Sequence, residues 1–179
     1  ENKNHLIIDE YAAEIVRFIF NLKMGGYSSQ RIATKLNEMG VLPPLEYKRS
    51  RGMKYNSGFR SGANPKWAVT TVNRILTNEL YTGTMVQGKN RKINYKVKEC
   101  RPVAEENWIR VEKTHEAIIA EEIFQYVQSL LDLDTRTAPD EDSVYLFSGF
   151  LRCGDCGQNM VKRSTSKKGK RYYYYHCST

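Results

Sequence analysis

The chain has 179 residues, 40% hydrophobic and 27% charged, with a formal net charge of +8. That length holds one ordinary domain or two small ones, and no apolar run is long enough to span a bilayer. Without a signal peptide either, a cytoplasmic protein with no membrane partner is expected, and the excess of cations favours a polyanionic partner.

Glu1 stands where an initiator methionine would, and Thr179 follows closely on Cys177, so a piece of a larger protein is expected. Asp9 is placed to cap a first helix, with Glu10 in its first turn, where a carboxylate complements the helix dipole. Ala12, Ile15, Val16, Ile19 and Phe20 give that helix one apolar face, and Gly25-Gly26 ends it. A second helix follows, capped by Ser28 or Ser29, with Ile32, Ala33, Leu36 and Met39 inward and Gly40 at its C-terminus. Val41-Leu42-Pro43-Pro44 closes it, because proline cannot continue a helix. Residues 44–66 have no apolar period and carry Lys48, Arg49, Arg51, Lys54, Arg60 and Lys66 against the single acid Glu46. They read as a long basic loop, either a phosphate contact or a solvated insertion.

Trp67 to Gly83 (WAVTTVNRILTNELYTG) is the stretch around which the rest is arranged: a periodic helix entering a tight turn and a strand. Ala68, Val72, Ile75 and Leu76 share one face, with Trp67 as an anchor. The opposite face carries Thr70, Thr71, Asn73, Arg74 and Thr77, types that can reach base edges and phosphates. Helix, short turn, helix, basic loop, helix is an order compatible with a helix-turn-helix variant whose last helix enters the major groove. An ordinary amphipathic helix with a wet outer face is the competing interpretation.

Leu80 to Val86 then reads as a strand, Lys89 to Lys98 as a ribbon with one basic face, and Trp108 to Val111 as another strand. Glu121 to Leu131 is a helix with Ile123, Phe124, Val127, Leu130 and Leu131 inward, and His115 just before it is a packing or capping residue. Asp132 to Ser143 is acidic and polar and reads as a linker. Val144 to Leu151 reads as a strand leading into Cys153-Gly154-Asp155-Cys156-Gly157. Two thiolates two residues apart form half of a tetrahedral zinc site, and Cys177 supplies a third ligand. The fourth is His176 or a residue beyond Thr179. Adjacent residues on a strand point to opposite faces, which favours the latter. A redox dithiol and a metal-free surface dithiol are the rivals, the first disfavoured by the absence of a βαβ pattern. Lys162, Arg163, Lys168 and Arg171, beside Tyr172 to Tyr175, suggest a second nucleic-acid contact, with the tyrosines packing the small module.

In their order and spacing, D-E-Y-A-A-E-I-V-R-F-I-F at Asp9, S-S-Q-R-I-A-T-K-L-N-E-M-G-V at Ser28, the Trp67 stretch, H-E-A-I-I at His115 and F-S-G-F-L-R-C-G-D-C-G at Phe147 form one pattern. It resembles the DNA-binding half of the large serine recombinases, also called serine integrases or transposon resolvases, from about Leu6 to Cys177. The resemblance implies a recombinase domain and a zinc ribbon on one attachment half-site of double-stranded DNA. It also implies a mobile-element parent that is a homo-oligomer and a site-specific recombinase catalysing integration or excision. The family's catalytic serine and supporting arginines would lie in a domain preceding Glu1, and its coiled-coil insertion beyond Thr179, so this chain by itself is not expected to be an enzyme.

The fold class expected is α+β: a helical recombinase domain with a small β ribbon over residues 1–131, a linker over 132–143, and a truncated zinc-ribbon-like module over 144–179. The residues expected to contact DNA are Lys66, Thr70, Thr71, Asn73 and Arg74 in the first module and Lys162, Arg163, Lys168 and Arg171 in the second. Cys153, Cys156 and Cys177 are expected to hold structural zinc. Two alternatives remain: a transcription regulator, which needs no catalytic domain, and an RNA-binding zinc-ribbon protein, which would prefer single strands or A-form duplex.

Overall fold

The structure, a computed structural model, describes residues 6–53, 65–94, 99–132 and 146–179. The chain divides into two compact units, residues 1–128 and 129–179. Lys54, Arg60 and most of the acidic stretch read as a linker lie outside the described residues.

The first unit is built on helices. α1 (Glu10–Met24) is capped by the Asp9 carboxylate, which accepts from the Ala12 amide at 3.2 Å. α2 (Ser29–Glu38) is capped by Ser28, whose hydroxyl accepts from the Arg31 amide at 3.2 Å. Ile19, Phe20, Ile32 and Leu36 from these helices are fully buried with Val72 and Leu76 of α4 (Val69–Leu76). α5 (Glu121–Asp132) adds Phe124 and Val127, and the Phe20 and Phe124 rings meet at 6.3 Å. These are the alternate faces that a 3.6-residue period brings together.

Several local readings are corrected. Residues 44–50 are not loop: Pro44–Ser50 form α3, with proline at the first turn, where its missing amide hydrogen costs nothing. The α3 side chain Tyr47 donates its hydroxyl to both Asp9 carboxylate oxygens, at 3.1 and 2.9 Å, and stacks on Tyr11. Met39 is 55% exposed rather than inward, because α2 has already ended at Glu38. Ala68 is likewise exposed, standing as the N-cap of α4 instead of on its inner face.

Leu80 to Val86 is not one strand either. Asn78 caps a single 3₁₀ turn over Glu79–Thr82 by accepting from the Leu80 amide, and the strand is delayed to β1 (Met85–Gln87). At Gly83, φ is +87°, and a Cβ there would lie 2.8 Å from the His115 carbonyl oxygen, so only glycine fits both the turn and the approach. β1 pairs antiparallel with β4 (Ile109–Val111), and between them β2 (Asn90–Lys92) pairs with β3 (Cys100–Pro102). His115 holds this region to the 3₁₀ turn, one ring nitrogen lying 2.7 Å from the Leu80 carbonyl and the other 2.8 Å from the Thr114 hydroxyl.

In the second unit, residues 146–150 form a turn where a strand is expected, with the Phe150 amide bonded to the Phe147 carbonyl and Gly149 at φ +82°. A long antiparallel hairpin follows, β5 (Met160–Lys167) and β6 (Lys170–Cys177). Lys168 and Gly169, at φ 52° and 76°, make the two-residue turn whose twist suits a hairpin. Among the described residues no helix is long and apolar enough to cross a membrane.

Candidate nucleic-acid interface and metal centre

α4 turns Val72, Ile75 and Leu76 into the core, which leaves Thr70, Asn73 and Arg74 exposed and Thr71 half-buried, with Lys66 exposed just before the helix. None of these five side chains has a hydrogen-bond or ion-pair partner among the described residues. Arg110, in contrast, is bound by Glu79 at 3.0 Å and Glu105 at 2.6 Å. The hydrogen bond it donates to Glu79 is the leading cause that holds its guanidinium even further above its ordinary range.

The helix is fixed from outside at both ends. The Asn37 amide clasps the Trp67 backbone, its oxygen accepting from the Trp67 N–H at 2.8 Å and its nitrogen donating to the Trp67 carbonyl at 3.1 Å. The Trp67 indole, 5% exposed, donates to the Val41 carbonyl at 2.9 Å. At the other end, Gln128 of α5 donates to the Leu76 carbonyl at 2.8 Å.

Two further groups of cations escape a reading based on α4 alone. Arg31 and Lys35, one turn apart on α2, both lie over the Tyr27 ring, at 4.8 and 5.3 Å from its centroid. Arg91 and Arg101 are direct cross-strand partners in the exposed β2–β3 pair. Like charges placed so are destabilising on their own. The i, i+4 spacing of Arg31 and Lys35 was visible in the sequence, whereas the register joining Arg91 to Arg101 was not.

In the hairpin, the four cations singled out from the sequence are not gathered on one face. The register pairs Lys162 with Tyr175 and Ser166 with Arg171 on one face, and Arg163 with Tyr174 on the other, while Lys168 sits at the turn. Lys162 covers the Tyr173 ring at 4.0 Å, and Arg163 donates to His176 at 2.9 Å. Tyr172, Tyr173 and Tyr174 are about half exposed, so they pack the module only in part. Tyr175 meets Phe147 edge-on at 6.2 Å.

At the base of the hairpin the Cys153, Cys156 and Cys177 sulfurs lie within 4.8 Å of one another, Cys156 and Cys177 at 3.3 Å. A tetrahedral zinc thiolate site separates its sulfurs by about 3.8 Å, so the three donors fit one ion. The turn is prepared by the backbone: the Cys153 amide donates to the Gln158 carbonyl and the Gly157 amide to the Cys153 carbonyl. The Thr179 amide lies 3.5 Å from the Cys177 sulfur, the kind of contact that steadies a thiolate. His176 pairs across the strands with Val161, on the face opposite Cys177, and is not among the converging groups.

The family described as Recombinase matches residues 10–134, and the one described as Recombinase zinc beta ribbon domain matches residues 146–179. A Bacillus subtilis (strain 168) protein, "Uncharacterized protein YefB", is 36% identical over 121 residues, covering 63% of this chain and 40% of that protein. A second protein of the same strain, named "Putative DNA recombinase", is 32% identical over 195 residues, covering 99% of this chain and 34% of that protein. The chain therefore spans less than half the length of either relative. Two solved structures align along its length, one described as "Crystal Structure of a LSR-DNA Complex" and one as "Sequence Requirements of the Listeria innocua prophage attP site". They are 22% and 23% identical, with TM-scores of 0.46 and 0.47, and cover 99% and 100% of this chain and 47% and 65% of their own chains.

Proposed function

Since the chain belongs to the Recombinase family and continues into that family's zinc β ribbon, we propose that it binds double-stranded DNA sequence-specifically, at one attachment half-site used in site-specific recombination. The observation that carries this reading is the outer face of α4, where the side chains of Lys66, Thr70, Thr71, Asn73 and Arg74 have no hydrogen-bond or ion-pair partner among the described residues, beside a helix held at both ends. Side chains of these types on a helix, an element that fits a major groove, can donate to and accept from base edges, while lysine and arginine neutralise phosphates.

The ribbon is the second contact. Lys162 and Arg171 on one face, Arg163 on the other and Lys168 at the tip suit a hairpin inserted along a groove, with phosphates on either side of it. Cys153, Cys156 and Cys177 would hold zinc, which supplies a structural cross-link at the base of the hairpin. In this reading the chain's work is positioning: it places a recombinase on its site, and cutting and rejoining by a serine nucleophile belong to the whole protein. Residues 1–131 and 144–179 act as two modules joined by the acidic stretch 132–143, whose charge keeps it off the duplex.

Selection of bound duplexes from a randomised library at near-physiological salt tests the proposal. An asymmetric enriched motif long enough for two modules is the expected result. Binding that enriches nothing and collapses as salt rises would reduce every cation named here to a non-specific phosphate contact.

A further inference from the structure

We infer that Asn37 and Gln128 are positioning residues for DNA-sequence selectivity: together they hold α4 in the register that its outer side chains need. The inference rests on the reading of α4 as the DNA-reading helix. α4 has only 8 residues and no side-chain hydrogen bond at its N-cap, Ala68. A helix so short has little stability of its own, and its position is set by what it touches.

Its apolar contacts through Val72, Ile75 and Leu76 fix its depth against the core. Contacts of that kind have no direction and resist sliding or rotation weakly. The directional bonds are elsewhere. Asn37 makes two to the backbone of Trp67 and Gln128 makes one to the carbonyl of Leu76, so the bonded positions bracket all of Thr70, Thr71, Asn73 and Arg74. They come from different helices, α2 and α5, and so pin the two ends of α4 independently.

The chemistry separates two kinds of DNA contact. A hydrogen bond to a base edge weakens steeply with angle, and a shift of about 1 Å removes it. Attraction between a cation and the phosphate backbone changes little over the same shift. Loosening either clamp therefore costs discrimination between sequences while leaving non-specific binding in place.

The test uses Asn37→Ala and Gln128→Met in the full chain. Affinity is measured for the duplex enriched by library selection and for a scrambled duplex of the same length, well below the thermal midpoint of each variant. The ratio of the two affinities is expected to fall about tenfold for each, comparable to losing one bidentate base contact, with the scrambled-duplex affinity unchanged. Parallel loss on both duplexes, or no change on either, overturns the clamp while leaving α4 as a reader. An unmodified chain that does not discriminate overturns the reading of α4 itself, and the clamp with it. Should Asn37→Ala fail to fold, Gln128→Met decides, since its side chain is close in size and lacks the amide that donates to Leu76.

Discussion

Every buried hydrophobic side chain among the described residues lies between Ala13 and Val127, while the unit that carries the cysteines has none. In the first unit Phe20, Ile32, Leu36 and Leu76 are each withdrawn from water, and each such burial stabilises by about 1.5–3 kcal/mol. In the second, Tyr172 to Tyr174 stay half exposed on a two-stranded hairpin, an element that is marginal in water by itself. The converging thiolates are what such a module has in place of a core. One chain thus joins a unit held by oil to a unit whose three cysteines could hold a metal ion, and each should respond to a perturbation the other ignores.

The largest expected effect breaks the second unit. With zinc on the three cysteines, its removal by a chelator should cost the hairpin up to about 10 kcal/mol of folding free energy, and Cys156→Ser a part of that. Amide signals from residues 146–179 should collapse to unfolded positions while those of α1, α2 and α4 stay dispersed. Loss of both sets at once would show that the units are not independent.

The converse perturbation is Phe20→Ala. A fully buried ring that touches Phe124 should cost about 3–5 kcal/mol when truncated. The thermal transition of the helical unit should move down accordingly, and the hairpin signals should not change.

A smaller effect sharpens the comparison at the level of binding. Arg74→Ala should weaken binding to the selected duplex by about 1–3 kcal/mol if the guanidinium reads a base. An equal loss on a scrambled duplex would make it a phosphate contact instead.

The smallest effect is present near neutral pH and fades in acid. The Asp9 carboxyl is held below the usual carboxylate range first by the Ala12 amide and then by the Tyr47 hydroxyl. A depressed folded pKa stabilises above the unfolded value and is lost as pH falls through the folded one, so the contribution fades below about pH 4. Tyr47→Phe should lower stability slightly near pH 7 and shrink the loss on acidification, so that the two proteins converge in stability at low pH. Chemical denaturation across pH 3–7 follows this, and parallel curves for the two proteins would mean that the hydroxyl does not perturb Asp9.

Much of the helical unit was legible because its signals are local. Asp9 and Ser28 cap where their side chains predict, and the faces through Ile19, Ile32 and Val72 follow from spacing alone. The places that misled are those where a neighbour distant in sequence decides. Pro44 reads equally well as the end of one helix or the start of the next, and Tyr47 reaching Asp9 across 38 residues accompanies the second outcome. Leu80 to Val86 looks like a strand until Asn78 and the amides of Ile118 and Ile119, which donate to the Tyr81 carbonyl, hold it in a 3₁₀ turn.

The candidate sites divide in the same way. The three cysteines and the outer face of α4 could be named from residue type and spacing, because thiolate geometry and helical periodicity are properties of short segments. Asn37 and Gln128 gave no such sign: an amide on an amphipathic helix is unremarkable until the fold brings it to Trp67 or Leu76, 30 or 52 residues away. The distribution of the hairpin's cations over both faces likewise waited for the register, since a slip of one residue would exchange them. Composition, caps and spacing are written into neighbouring residues and so determine what the elements are. How firmly α4 is held, and which cations share a face, depend on hydrogen bonds and strand register between residues far apart, and only the tertiary structure decides those.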